Sequence, residues 1–89
     1  MTDVYIEMTY RHGKALAAYL HLPRGDQDRC ASSQELESGI VVDLQQDGRP
    51  IGLELTLPGE ASLELINRIL QRYNLEALSR EELAPLLAA

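Results

Sequence analysis

The chain has 89 residues, the length of one small domain, so a second domain within it is excluded. Its 16 Leu, 5 Ile and 3 Val are enough for one hydrophobic core and argue against disorder. Fourteen acidic and eight basic residues give a net charge of −6, which is the wrong sign for a nucleic-acid-binding surface.

The first part of the chain is typical of a β-hairpin. Apolar residues recur with period two from Val4 to Leu22, which predicts two strands. Apolar residues of both strands share one face only if the numbers of paired residues have an even sum, and a sum of 24 fits best. This register predicts a three-residue loop at residues 11–13 and places His21 opposite Asp3.

The middle of the chain gives a weaker signal. Residues 23–28 have the composition of an exposed loop. Residues 29–36 alternate weakly and predict an edge strand, but a short helix is the alternative because Ser32 to Glu35 also fits a capping box. The only cysteine, Cys30, excludes an internal disulfide, and with two histidines the chain has too few ligands for a structural zinc site.

A second hairpin is predicted between Ile40 and Leu57. Asp47-Gly48 is typical of a type I′ turn, whose two-residue loop makes paired residue numbers sum to 95. Six apolar residues then share one face, as the pairs Leu44 with Ile51, Val42 with Leu53 and Ile40 with Leu55. The opposite face is expected to be at most half buried and receives Val41, Asp43, Gly52, Glu54 and Thr56.

After Pro58-Gly59 the apolar period changes to 3.6, which predicts a helix from about Glu60 to Tyr73 that ends at a left-handed Asn74. A capping box at residues 79–82 opens a shorter helix, which Pro85 is expected to kink or end. The predicted fold is a single α+β domain over residues 1–89. It has an antiparallel β-meander of four or five strands, at about residues 3–57, covered on one face by C-terminal helices at about 60–88.

The second predicted hairpin also carries a family resemblance. From Gly39 to Leu55 the sequence reads Gly-Ile-Val-Val-Asp, a turn with Asp-Gly-Arg, and Ile-Gly-Leu-Glu-Leu. This stretch resembles the signature of the DUF2283 family of small uncharacterised prokaryotic proteins. An upstream family motif with two acidic positions is only partly retained, since those positions hold Arg11 and Lys14. Any role of these acids in relatives is therefore not carried over.

The resemblance implies a β-rich fold and a bacterial origin rather than an activity. Members of the family are also similar to small partners encoded beside toxin-like proteins. The resemblance therefore suggests an unidentified protein partner for this chain.

The polar sheet face holds the candidate ligand-binding residues, which are His21, Asp43, Gly52 and Glu54. A carboxylate beside a histidine could do acid–base work, but the predicted register keeps His21 away from Glu54 and no nucleophile is adjacent. We therefore assign no catalytic residue, no metal site and no cofactor. Gly52 predicts a bulge or a close approach by a neighbour, and the alternative is that it opens room for a ligand over Asp43.

The C-terminal part has more apolar residues than one small sheet is expected to cover. Six leucines fall outside the predicted core stripe, namely Leu65, Leu75, Leu78, Leu83, Leu86 and Leu87. A second copy of the chain is the simplest cover for them, so we expect a homodimer with these residues at its interface.

The start of the chain lacks a signal-peptide pattern, and no apolar run approaches the roughly 18–20 residues that span a bilayer. We therefore expect a cytoplasmic protein that binds neither membrane nor nucleic acid. The function we expect is that of a non-catalytic protein-interaction module, and the family resemblance suggests that it is the partner of a neighbouring toxin-like protein. The alternative is a small ligand-binding or hydrolase-like site on the polar sheet face.

Overall fold

The computed structural model describes residues 4–89 and contains one five-stranded antiparallel sheet with two helices. The strands are β1 (Tyr5–Arg11), β2 (Lys14–His21), β3 (Ser32–Glu35), β4 (Ile40–Leu44) and β5 (Pro50–Leu55), and the helices are α1 (Leu63–Arg72) and α2 (Ala84–Leu87). Short 3₁₀ turns occupy Glu37–Gly39 and Pro58–Glu60. The order across the sheet is β1-β2-β5-β4-β3. The predicted α+β class is confirmed.

The β1–β2 hairpin exists, but its predicted register is wrong. Paired residue numbers sum to 26 along most of the hairpin, so that Ile6 lies opposite Leu20, and a bulge at Leu16 changes the sum to 25 near the turn. The loop contains only His12 and Gly13, both at positive φ, as a type I′ turn requires. The predicted partner of His21, Asp3, lies outside the described residues, and His21 lies opposite Tyr5.

The β4–β5 hairpin has the predicted register along most of its length. Ile40 pairs with Leu55 and Val42 with Leu53, but Leu44 pairs with Pro50 rather than Ile51, which is the extra residue of a bulge. The predicted type I′ turn is wrong, because Gly48 is at a φ of 88° while Asp47 has no positive φ. The turn is instead closed by the Gly48 amide, which donates to the Gln45 carbonyl at 2.9 Å.

The segment that the sequence left open between strand and helix is the edge strand β3. It pairs antiparallel with β4, from Ser32 opposite Leu44 to Glu35 opposite Val41. All four of its residues are exposed. The capping-box alternative at Ser32 is therefore wrong for this segment.

One hydrophobic core joins the apolar face of the sheet to both helices. Leu20, Val42 and Leu53 of the sheet are fully buried, as are Ile66 and Ile69 of α1. Helix α1 begins after the cap Ser62, whose hydroxyl accepts from the Leu65 amide, and it is shorter than predicted at its N-terminal end. Asn74 follows the helix at a φ of 60°, so the predicted left-handed terminator is confirmed.

The C-terminal tail, residues 75–89, packs on this same core. The capping box is confirmed, because the Ser79 amide donates to Glu82 and the Glu82 amide donates to the Ser79 hydroxyl. The shorter helix does not begin at the capping box as predicted: residues 80–83 form turns, and α2 begins at Ala84. Pro85 neither kinks nor ends a helix opened at residue 79, since it occupies the first turn of α2, where its missing N–H costs nothing. Asn67 of α1 holds the tail by two hydrogen bonds to the backbone of Leu78, at 2.7 and 3.0 Å.

The six leucines assigned to an interface are covered within the chain. Leu65, Leu83 and Leu86 are at most 8% exposed in the core, and three others are partly buried against it, namely Leu75, Leu78 and Leu87. These leucines need no second copy of the chain as cover, because the tail folds over the core. The homodimer stays a prediction and needs another surface.

Candidate functional site on the polar face of the sheet

Five residues, one from each strand, lie side by side across the polar face of the sheet. The pairing registers place them in the order Tyr5, His21, Gly52, Asp43 and Ser33. We call this set the central row. It brings together three of the four predicted ligand-binding residues, and Glu54 lies in the adjacent row.

Gly52 leaves space in the central row that the ring of Tyr19 fills. Tyr19 lies opposite Glu54 in the adjacent row, but its ring crosses Gly52 diagonally. A Cβ atom at residue 52 would stand 2.1 Å from the Tyr19 hydroxyl oxygen and 2.3 Å from its Cζ. The predicted close approach at Gly52 is therefore confirmed, and a side chain at this position would displace the ring.

Asp43 is held from both sides. The Tyr19 hydroxyl donates to Oδ2 at 2.7 Å, and the Ser33 hydroxyl donates to Oδ1 at 2.6 Å. Burial raises the pKa of Tyr19, and the hydrogen bond to the Asp43 carboxylate raises it further, because both favour the neutral phenol. The Tyr19 hydroxyl is therefore a fixed donor that orients the carboxylate.

His21 has a carboxylate partner that the predicted register missed. Its Nε2 atom forms a short contact with Oε1 of Glu7, while the imidazole stacks on Tyr5 with ring centroids 4.1 Å apart. Tyr19 meets the imidazole edge-on, at a centroid distance of 4.6 Å. The His21 side chain is 17% exposed and that of Glu7 is 67% exposed. Two tyrosines and Glu7 thus fix the orientation of the imidazole.

The adjacent row carries three carboxylates. The registers give the order Glu7, Tyr19, Glu54, Val41 and Glu35. Each glutamate is two strands from the next, a spacing of about 10 Å for strands about 4.8 Å apart. All three glutamates are exposed. The polar face therefore presents a line of negative charge to solvent.

A shallow depression lies on the polar face. A depression of about 240 Å³ is lined by Glu7, Thr9, Ala17, Ala18, Tyr19 and Glu54. Pockets for small ligands usually measure about 300–1,000 Å³ and bury most of the ligand. A larger depression, of about 540 Å³, lies between the loop at residues 27–31 and the β4–β5 turn.

Cys30 is exposed, and its Sγ atom lies 3.7 Å from the Ser33 hydroxyl. Among residues 4–89, no three His, Cys, Asp or Glu side chains converge as metal ligands. The same part of the chain contains no helix long and apolar enough to cross a membrane.

The sequence did not show the contacts of Tyr5, Glu7 and Tyr19, and it did not indicate Ser33 as part of this surface. Tyr5, Glu7 and Tyr19 have the parity of the polar face, so the sequence could place them there but not show their contacts. The hydrogen bond of Ser33 depends on β3, whose conformation was left open. Gly52 opposite Asp43 was the one local signal of a close approach.

The fold and this surface define a small α+β domain with an ordered polar sheet face. The family model DUF2283, described as a protein of unknown function, matches residues 17–56. The match extends from β2 through β5 and includes Tyr19, Asp43 and Gly52, so the predicted relationship to the DUF2283 family is confirmed over this segment. No curated protein and no solved structure matches the chain.

Proposed function

We propose that this protein is a non-catalytic protein-interaction module and that its polar sheet face binds a partner protein. The observation that carries the proposal is the mutual pairing of the polar groups of the central row. Asp43 accepts from Tyr19 and Ser33, and His21 is held by Glu7 and Tyr5. Groups fixed in this way form a surface of defined shape, and preorganisation lowers the entropic cost of association.

The exposed groups of this face favour a positively charged partner. Glu7, Glu54 and Glu35 form the line of carboxylates described above, and the chain has a net charge of −6. Tyr5 is 50% exposed beside them and offers an aromatic surface of the kind enriched in interfaces. Complementary charge would accelerate association and make it sensitive to salt. More specifically, we propose that this partner is a basic toxin-like protein.

A charge-reversal experiment tests the proposal. Tagged protein is expressed in its native cells, and the proteins it retains are compared with those retained by the variant Glu35→Lys plus Glu54→Lys. The control, Glu76→Lys plus Glu81→Lys, makes the same charge change at exposed positions of the tail. We expect a retained protein that the face variant loses, that the control keeps, and whose binding weakens with salt. Equal retention by both variants would contradict the proposed surface.

The second candidate function is a small-molecule site at the same face. It is favoured by one observation, the His21–Glu7 pair beside the depression lined by Tyr19 and Glu54. Thermal shifts measured with metal ions and with sets of metabolites test it, since a bound ligand raises the unfolding temperature. A shift that disappears in His21→Gln plus Glu54→Gln would support this candidate. The interaction proposal predicts no such shift.

A further inference from the structure

The sheet has two open edges, and they differ in character. Strand β3 is four residues long, polar and fully exposed. Strand β1 is seven residues long and contains Tyr5, Ile6, Met8 and Tyr10. The bulge of the first hairpin lies on β2, so the register shift adds no residue to β1. An edge strand of this length without proline or a bulge offers a regular row of backbone groups for pairing.

The apolar side chains of β1 are incompletely covered. Ile6 and Met8 are only partly buried against the core, and Tyr10 is 58% exposed. Two of the four exposed large hydrophobic side chains of the described residues, Tyr5 and Tyr10, lie at opposite ends of this strand. An added strand would cover these residues and pair the open backbone groups in one step.

We propose that a second copy of this chain pairs with β1, antiparallel and edge to edge, around a two-fold axis through Met8. The two sheets then form one sheet of ten strands. This inference is independent of the partner proposed for the polar face.

The composition of β1 selects the position of the axis. A two-fold axis that keeps each face continuous must pass through a residue, because pairs with an odd sum would mix the two faces. An axis through Glu7 would oppose two like charges. An axis through Thr9 would pair only residues 7–11. An axis through Met8 pairs all seven residues of the strand.

The Met8 register also gives complementary contacts. Ile6 of one copy lies opposite Tyr10 of the other, and both belong to the apolar face. Arg11 lies opposite Tyr5, which permits a cation–π contact, and Glu7 lies opposite Thr9, so no like charges meet. Helix α2 packs against β1, so the same axis brings the two α2 helices towards each other on the apolar side.

Cysteine cross-linking tests the register. In a Cys30→Ser background, Glu7→Cys, Met8→Cys and Thr9→Cys are each oxidised and resolved on a non-reducing gel. Directly opposed cysteines on neighbouring strands lie within disulfide range. We expect Met8→Cys to give at least ten times more covalent dimer than the other two. Stronger cross-linking at residue 7 or 9, or none at residue 8, would overturn the proposal.

Light scattering tests the association without introduced cysteines. We expect a mass of twice the 9.9 kDa of one chain for the full protein at high micromolar concentration. Tyr10→Lys should shift the mass towards one chain. The matched control Leu57→Lys changes another exposed hydrophobic residue, 49% exposed and outside β1, and should keep the dimer. Circular dichroism verifies that both variants are folded. A single-chain mass for the full protein, or equal loss of dimer in both variants, would overturn the proposal.

Discussion

The substitution Gly52→Ala tests whether the ring of Tyr19 is fixed over the sheet. The added Cβ would stand 2.1–2.4 Å from three atoms of the Tyr19 side chain, so the ring must move away. The backbone itself adds no strain, because Gly52 does not have a positive φ. Movement of the ring breaks the 2.7 Å hydrogen bond to Asp43.

The magnitude follows from two opposing effects. A hydrogen bond to a charged group contributes about 1.5–3 kcal/mol. Alanine is favoured over glycine in a strand by about 0.5–1 kcal/mol. We therefore expect Gly52→Ala to lower the free energy of unfolding by about 1–2 kcal/mol, and each kcal/mol corresponds to roughly 4–8 °C in melting temperature for a domain of this size.

Urea denaturation followed by circular dichroism measures this loss, and a double-mutant cycle isolates its cause. In a Tyr19→Ala background the steric conflict is absent, so Gly52→Ala should be neutral or stabilising by up to about 1 kcal/mol. Gly59→Ala is the matched control, because no atom lies within 4 Å of a Cβ at that position. An equal loss from Gly52→Ala in both backgrounds would refute the reasoning.

Three further predictions concern the core, the tail and the titration of one tyrosine. Leu53→Ala should lower the free energy of unfolding by about 2–5 kcal/mol because this side chain is fully buried, whereas Glu54→Ala on the other face should lower it by less than about 0.5 kcal/mol. Similar losses of denaturation midpoint in the two variants would show that the two residues are assigned to the wrong faces. Leu86→Ala should lower the free energy of unfolding by a similar 2–5 kcal/mol without changing the mass seen by light scattering, and the reverse pattern would restore the tail as an interface. Because the pKa of Tyr19 is raised, the stabilising contribution of this residue is complete below the ordinary tyrosine pKa of 10.0 and is lost as the pH rises further. In an ultraviolet titration, the last tyrosine to ionise should therefore disappear in Tyr19→Phe. An unchanged late phase would contradict the contact with Asp43.

The alternation of apolar residues was sufficient to predict four or five strands and the buried face, since side chains of a strand alternate between two faces. The details near the turns were not predictable in this way. Bulges at Leu16 and Ile51 each add one residue close to a loop, where too few alternating residues follow to reveal the change. The two-residue turn at His12-Gly13 was not predicted, because histidine is uncommon at the first position of a type I′ turn.

The candidate site was predicted in part. The parity of the strands placed His21, Asp43 and Glu54 on one face, and Gly52 indicated a close approach. Which side chain fills that space depends on pairing between β2 and β5, strands separated by 28 residues, and no local pattern encodes this pairing. The cover provided by the tail also depends on a distant contact, the amide of Asn67 with the backbone of Leu78.

Site-specific photo-crosslinking in the native cells tests the central claim most directly, that the polar sheet face binds a partner protein. A benzophenone side chain replaces Glu54 at the centre of the line of carboxylates, and a control protein carries it at Glu81 on the tail, which is also exposed. We predict a covalent adduct with another protein at position 54 that is absent at position 81. Adducts at position 81 alone, or none at position 54, would contradict the claim.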